Sequence, residues 1–176
     1  MSICKRAVVT TILAACLCGS GGADEGPALG EEIDADRVLA ADFTVLPDGR
    51  GLPPGSGDAV AGARVYAEHC VACHGEGGEG GSNDRLAGGL SSLTTARPVK
   101  TVGSYWPYAT TIFDYVRRAM PYPAPGSLSD DDVYAVTAYL LNINGIVDEA
   151  VTMDAATLPR VRMPNRDNFV LRYPQQ

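Results

Sequence analysis

Cys70-Val71-Ala72-Cys73-His74 is the most specific chemical signal in this 176-residue chain. Two thiols three positions apart on the last turn of a helix can each add to one vinyl group of the same porphyrin. The residue that follows then stands where its imidazole reaches the iron, which is the spacing of c-type haem attachment. Other uses of the pair fit less well. A disulfide across two intervening residues closes too short a loop to stabilise a domain much. A redox dithiol of the thioredoxin kind needs a βαβ setting, and no strand pattern here supplies one. A zinc site needs two further ligands, and beyond His74 the folded part offers only His69. The motif occurs once, so the expectation is one covalent haem c, fixed by Cys70 and Cys73 with His74 on the metal.

Upstream of the motif, Asp58 is a fair N-cap and a helix is expected from there to about Cys73. Gly62, Tyr66 and Cys70 recur every four residues and so share one face. A Gly on that stripe costs about 1 kcal/mol relative to Ala, and a close approach by another helix would compensate, with the Tyr ring covering the crossing. Residues 24–56 are polar and turn-rich and end in Leu52-Pro53-Pro54-Gly55-Ser56-Gly57. They read as an irregular extension wrapped on the domain.

Downstream, Gly75 to Gly81 holds five Gly in seven residues, which predicts a tight loop passing close to something bulky. A second helix is expected from about Tyr108 to Arg118, with Ile112, Phe113 and Val116 inward, stopping before Met120-Pro121. Pro121, Pro123 and Pro125 make a stiff strap. The third helix is the clearest: Ser129 and Asp132 form a capping box, Asp130 to Asp132 favour the positive end of its dipole, and Gly145 stops it. Val133, Val136, Leu140 and Ile143 form its buried stripe. Beyond residue 146 the Pro-punctuated chain reads as one helical turn near Asp154 and then a surface tail. The expected fold is all-α, with three main helices around one haem, and the segments are 1–23 (leader and tether), 24–56, 57–146 (domain) and 147–176 (tail).

Composition agrees with a buried cofactor: twenty Gly and twelve Pro stand against three Phe, so something other than aromatic side chains must complete the core. Lys5 and Arg6 followed by the apolar run Ala7 to Ala15 read as an export signal, too short to span about 30 Å of hydrocarbon. Cleavage either precedes Cys16, whose lipidation would tether the protein, or follows the small residues Gly21-Gly22-Ala23. Both place the domain in the periplasm. Either cut removes Lys5 and Arg6 and takes the net charge from −7 to −9, a surface that repels nucleic acid and suits a partner with a basic docking face. Cys4, Cys16 and Cys18 lie in this leader region, which leaves Cys70 and Cys73 alone in the folded part.

The sixth iron ligand separates electron transfer from ligand chemistry. Met120, just before the Pro strap, can bring a thioether to the haem face opposite His74, and His/Met ligation favours electron transfer over O₂ or peroxide chemistry. Met153 and Met163 are the alternatives, and core filling is the other use of such a side chain. Tyr105 and Trp106, with Tyr108, form an aromatic cluster able to wall the haem or simply to pack. Arg97 and Lys100 could pair with its propionates or remain solvated surface charges. His69 is read as a surface residue.

Three helices, Cys-x-x-Cys-His at the end of the first and Met-Pro before the last resemble class I cytochrome c over about residues 57–146. Many members carry a Pro after the motif whose carbonyl orients the proximal His; Gly80-Gly81-Ser82-Asn83 lacks it, which leaves the acceptor for the His74 ring open. A narrower likeness lies in Gly51-Leu52-Pro53-Pro54-Gly55, Thr101-Val102-Gly103-Ser104-Tyr105-Trp106-Pro107, Arg117-Arg118-Ala119-Met120-Pro121, Val133-Tyr134-Ala135-Val136 and Met163-Pro164-Asn165-Arg166-Asp167. Together these are similar to SoxD, the cytochrome subunit of bacterial Sox sulfane/sulfite dehydrogenases. The resemblance implies an electron-transfer subunit reduced by a molybdenum-cofactor partner that oxidises sulfur species, and oxidised by another cytochrome or an oxidase. Members of that family often carry a second haem domain, and this chain has one motif. A general periplasmic carrier, or a catalytic or sensing haem with an open sixth site, are the competing expectations.

Overall fold

The computed structural model describes residues 29–170; the leader, with its cleavage sites and Cys16, lies outside them. Its helices are α1 (Ala35–Ala41), α2 (Ala59–His69), α3 (Val71–His74), α4 (Ala109–Ala119) and α5 (Asp130–Ile143). Two short strands, β1 (Ser56–Gly57) and β2 (Met153–Asp154), pair antiparallel with Ser56 opposite Asp154 and Gly57 opposite Met153. The mainly helical architecture is the expected one.

The first expected helix is interrupted. Cys70 departs from helical geometry (φ −121°, ψ −34°) and serves both as the C-cap of α2 and the N-cap of α3. Its N–H closes α2 on the Tyr66 carbonyl at 2.9 Å, while its own carbonyl accepts from His74 N–H at 3.0 Å. The break re-aims a single turn carrying Cys73 and His74, which a hydrophobic pattern over the whole segment cannot reveal.

α2 crosses α5 at the stripe read from the sequence. A Cβ on Gly62 would stand 1.9 Å from the Ala135 carbonyl oxygen, and the Tyr66 and Tyr139 rings meet at 5.0 Å beside the crossing. α5 is capped as expected, with Ser129 Oγ accepting from Asp132 N–H at 3.1 Å. It is the core of the fold: Val133, Tyr134, Val136, Ala138, Leu140 and Leu141 are buried. α4 lays Ile112, Phe113 and Val116 against it, with Phe113 and Tyr134 ring centres 4.4 Å apart. α4 stops at Ala119, and Met120 is extended, because the residue before a proline avoids helical geometry.

The two flanking segments hold surprises. The extension carries α1, capped by Asp34, which accepts from Arg37 N–H at 2.8 Å; none of its residues is buried. Farther along, the extension is tied down: Val45 N–H donates to the buried Asp114 carboxylate at 3.2 Å, and the Tyr134 hydroxyl donates to the Pro53 carbonyl at 2.9 Å. Asp114 also pairs with Arg118 one turn on.

The C-terminal segment, expected as a surface tail, is in good part core. Met153, Leu158 and Met163 are 2%, 0% and 1% exposed, and each such burial is worth about 1.5–3 kcal/mol. The helical turn expected near Asp154 is a 3₁₀ turn at Leu158–Arg160. These apolar residues are spaced in a chain broken by prolines, so they carry neither a helical nor a strand period and pattern reading passes over them.

Candidate haem site

α3 and the loop behind it fix the motif. Gly81 lies so near that a Cβ on it would be 2.8 Å from the Cys73 carbonyl oxygen. Asn83 N–H donates to that carbonyl at 2.9 Å, and Gly80 N–H donates to the His74 carbonyl at 2.7 Å. The Tyr66 hydroxyl donates to the Gly75 carbonyl at 2.8 Å. The Gly-rich run therefore wraps back onto the motif that precedes it.

Cys70 and Cys73 are free thiols, both half-buried. Burial, with the neighbouring Cys73 second, pushes the Cys70 thiol up to about 11, so it is held as the neutral thiol near pH 7. Among the described residues no group of three or more His, Cys, Asp or Glu gathers as a metal cage, so the donors that could complete a zinc site around the pair are lacking there.

His74 Nδ1 lies 2.7 Å from the Asp84 carbonyl oxygen. With the proton assigned to Nδ1, that contact is a donated hydrogen bond and Nε2 keeps its lone pair for a metal. The acceptor that the sequence left open is thus the Asp84 backbone. A backbone carbonyl leaves no trace in residue type, so nothing in the sequence could have pointed to it.

His74 and Met120 line the same cleft. Its walls are mostly apolar, formed by Leu86, Val102, Trp106, Ile112, Val116 and Leu140, and Asp84, Thr101 and the cations Arg85 and Lys100 also stand on its lining. Leu140 brings α5 into the site, and α4 contributes Ile112, Val116 and the half-exposed Tyr115. The Trp106 and Tyr115 rings meet edge to face at 5.6 Å. Tyr115 and Arg85 carry no sequence signal that distinguishes them from surface residues. Such a donor set suits haem c: two thiols, a nitrogen with its tautomer set from behind, a thioether, apolar walls and cations for carboxylates.

Other residues considered from sequence lie elsewhere. Tyr105 is not on the cleft lining; its ring packs on Phe169 at 5.5 Å with the Lys100 ammonium 4.9 Å from its centre. Arg97 is exposed and also off the lining. It sits on a turn closed by Ser92, whose Oγ accepts from Val99 N–H at 2.9 Å. Met153 and Met163 belong to the core and not to the cleft. His69 lies at the surface, 3.8 Å from the Glu68 carboxylate. A depression between Phe43, Arg117, Leu128 and Asp130 shares no lining residue with the cleft, and its Arg117 is already paired with Asp130 at 3.0 Å.

A family model described as cytochrome c matches residues 59–144. A chain in the crystal structure of the sulfane dehydrogenase SoxCD from Paracoccus pantotrophus is 47% identical, with a TM-score of 0.76, over 84% of this chain and 72% of that one. Thiosulfate dehydrogenase of Stutzerimonas stutzeri (strain A1501) is 32% identical over 89 residues. That match takes in 50% of this chain but only 28% of the relative.

Proposed function

The chain belongs to the cytochrome c family, and from that premise we propose that it is a periplasmic mono-haem carrier of single electrons, the electron-accepting subunit of a molybdenum-cofactor sulfane or sulfite dehydrogenase. The observation that carries this reading is the shared cleft of His74 and Met120, with the far side of the imidazole held by Asp84; Cys70 and Cys73 belong to the same motif as His74 but are not themselves on the cleft lining. When bound, haem c supplies an iron that exchanges one electron without bond chemistry on a substrate.

The residues of this chain do the rest. Cys70 and Cys73 would hold the group through two thioethers, each S–H adding across one vinyl group so that its hydrogen passes to the vinyl carbon. His74 offers Nε2 to the iron while Nδ1–H donates to Asp84, which fixes the ring and raises its basicity. Met120, on the same cleft, would offer its thioether to the iron and so leave no open site for small molecules. Leu86, Val102, Ile112, Val116 and Leu140 would exclude water, and Arg85 would meet propionate charge; Lys100 also lines the cleft, though its ammonium lies over the Tyr105 ring. Trp106 and Tyr115 form an aromatic rim at the mouth.

The pairing with a sulfur dehydrogenase is supported by the likeness to the SoxCD chain, and a smaller likeness, over part of its length, is to another dehydrogenase of a sulfur compound, thiosulfate. Electrons would leave to a second cytochrome or an oxidase. No helix among the described residues is long and apolar enough to cross a membrane. A lipid at Cys16 would anchor the protein from its N-terminus, and the mass of the mature N-terminal peptide decides between that and cleavage after Ala23.

Two experiments test the function. A near-infrared thioether-to-ferric charge-transfer band, lost in Met120→Ala, is expected; its absence from the wild type would favour an open catalytic or sensing site. Co-expression with the candidate molybdenum subunit should give sulfur-substrate-dependent reduction of the haem. Equal reduction by many unrelated donors would instead make the protein a general carrier.

A further inference from the structure

We propose that Asn144 is a positioning residue for His74: its buried side-chain amide ties the loop bearing the Asp84 acceptor to the last helix and to the Val102 wall of the cleft. This inference rests on the haem reading above.

Asn144 is 5% exposed, just past the end of α5. Its Oδ1 accepts from Gly88 N–H at 3.1 Å. Its Nδ2 donates to the Leu140 carbonyl at 2.8 Å and the Leu86 carbonyl at 3.2 Å. The Gly103 backbone lies against the same amide, where a Cβ would come 2.3 Å from Oδ1. Thr101 closes the ring by donating its hydroxyl to the Gly88 carbonyl at 2.8 Å. One side chain thus joins three segments that line the cleft, carrying Leu86, Leu140 and Val102.

Asp84 is itself exposed, so burial does not hold its carbonyl against the imidazole. Its loop has two sets of ties. Backbone bonds from Asn83 to Cys73 (2.9 Å) and from Leu86 and Ala87 to Gly78 (2.8 and 3.0 Å) bind it to the motif's own Gly run. Those contacts fix the loop locally, whereas the Asn144 amide binds it to the helix and turn across the cleft. The pull on Asp84, and hence the strength of its bond to His74, depends on that second tie. A firmer hydrogen bond to Nδ1–H makes the imidazole a stronger donor to the metal, which favours the more oxidised iron and lowers the reduction potential.

The test uses the full-length haem-loaded protein. In Asn144→Ala the reduction potential should rise and the His74 ring N–H, followed by NMR in the reduced protein, should exchange with solvent several-fold faster. The Met120 charge-transfer band should remain. Asn144→Gln keeps both amide functions but displaces them by one methylene, loosening the tie without adding a charge, and should fall between wild type and Asn144→Ala. It also carries the test alone if the alanine variant does not fold. Tyr134→Phe removes a hydrogen bond from the other side of α5 and serves as control: lower thermal stability, with potential and ring proton unchanged. Asn144 variants that behave like this control, less stable but with wild-type potential and exchange, would overturn the proposal. A wild-type protein that matures without haem would sink the haem reading instead, before any variant is compared.

Discussion

Gly62 of α2 lies against Ala135 of α5 so closely that a Cβ added to the glycine would meet the Ala135 carbonyl oxygen at 1.9 Å. The obstacle is backbone on the partner helix, which cannot rotate away as a side chain could. Gly62→Ala should therefore destabilise the protein by about 1–3 kcal/mol, although alanine is the better helix former by about 1 kcal/mol. Urea unfolding followed by far-UV circular dichroism checks this; an unchanged or raised midpoint would show that the helices do not meet here.

Met120 and Met163 should separate stability from ligation. Met163 is 1% exposed in the core, so Met163→Ala should cost about 2–5 kcal/mol and leave the iron's spectrum intact. Met120 is only partly buried and lines the cleft, so Met120→Ala should lose the charge-transfer band with a smaller loss of packing. A band that disappears with Met163 and survives without Met120 would reassign the ligand.

Burial is the leading cause that pushes the Tyr66 and Tyr134 hydroxyls up to about 12. Nearby acidic groups add to the shift, Cys70 beside Tyr66 and Asp130 beside Tyr134. In the unfolded chain these groups ionise near pH 10, so between about pH 10 and 12 the unfolded state has lost protons that the folded state retains. Stability should fall as pH rises through that window. Tyr134→Phe, remote from the motif, should flatten the fall in a series of unfolding curves from pH 9 to 12. An identical slope in wild type and variant would count against the burial argument.

Thr137 is fully buried, and its hydroxyl has no hydrogen-bond partner among the described residues. An unmet buried hydroxyl is costly, while valine has nearly the same shape. Thr137→Val should leave thermal stability unchanged or raise it, and a clear loss would mean that the hydroxyl has a partner such as a buried water.

Much of the candidate site could be named from the sequence because it is made of side chains at fixed spacing. Cys70, Cys73 and His74 fall within five residues, Met120 is followed by Pro121, and Ser129 with Asp132 announces the start of α5. Gly62 and Tyr66 revealed a helix crossing because a Gly on a buried stripe needs a reason. What stayed hidden depends on tertiary placement. The acceptor for His74 is a peptide carbonyl, and Asn144 looks like any polar residue at a helix end. Met153, Leu158 and Met163 enter the core from a chain without periodicity. Arg97 and Tyr105 stay off the cleft lining, the first exposed and the second packed on Phe169, whereas Arg85 stands on it.

The central claim, one haem held covalently at Cys70 and Cys73, is tested most directly by intact mass and pyridine haemochrome spectra of the purified, matured protein. One covalent haem should give the mass of one haem added to the chain, a two-thioether spectrum, and colour that stays with the protein in acidified acetone. A colourless protein, or one whose pigment passes into the acetone, would contradict it.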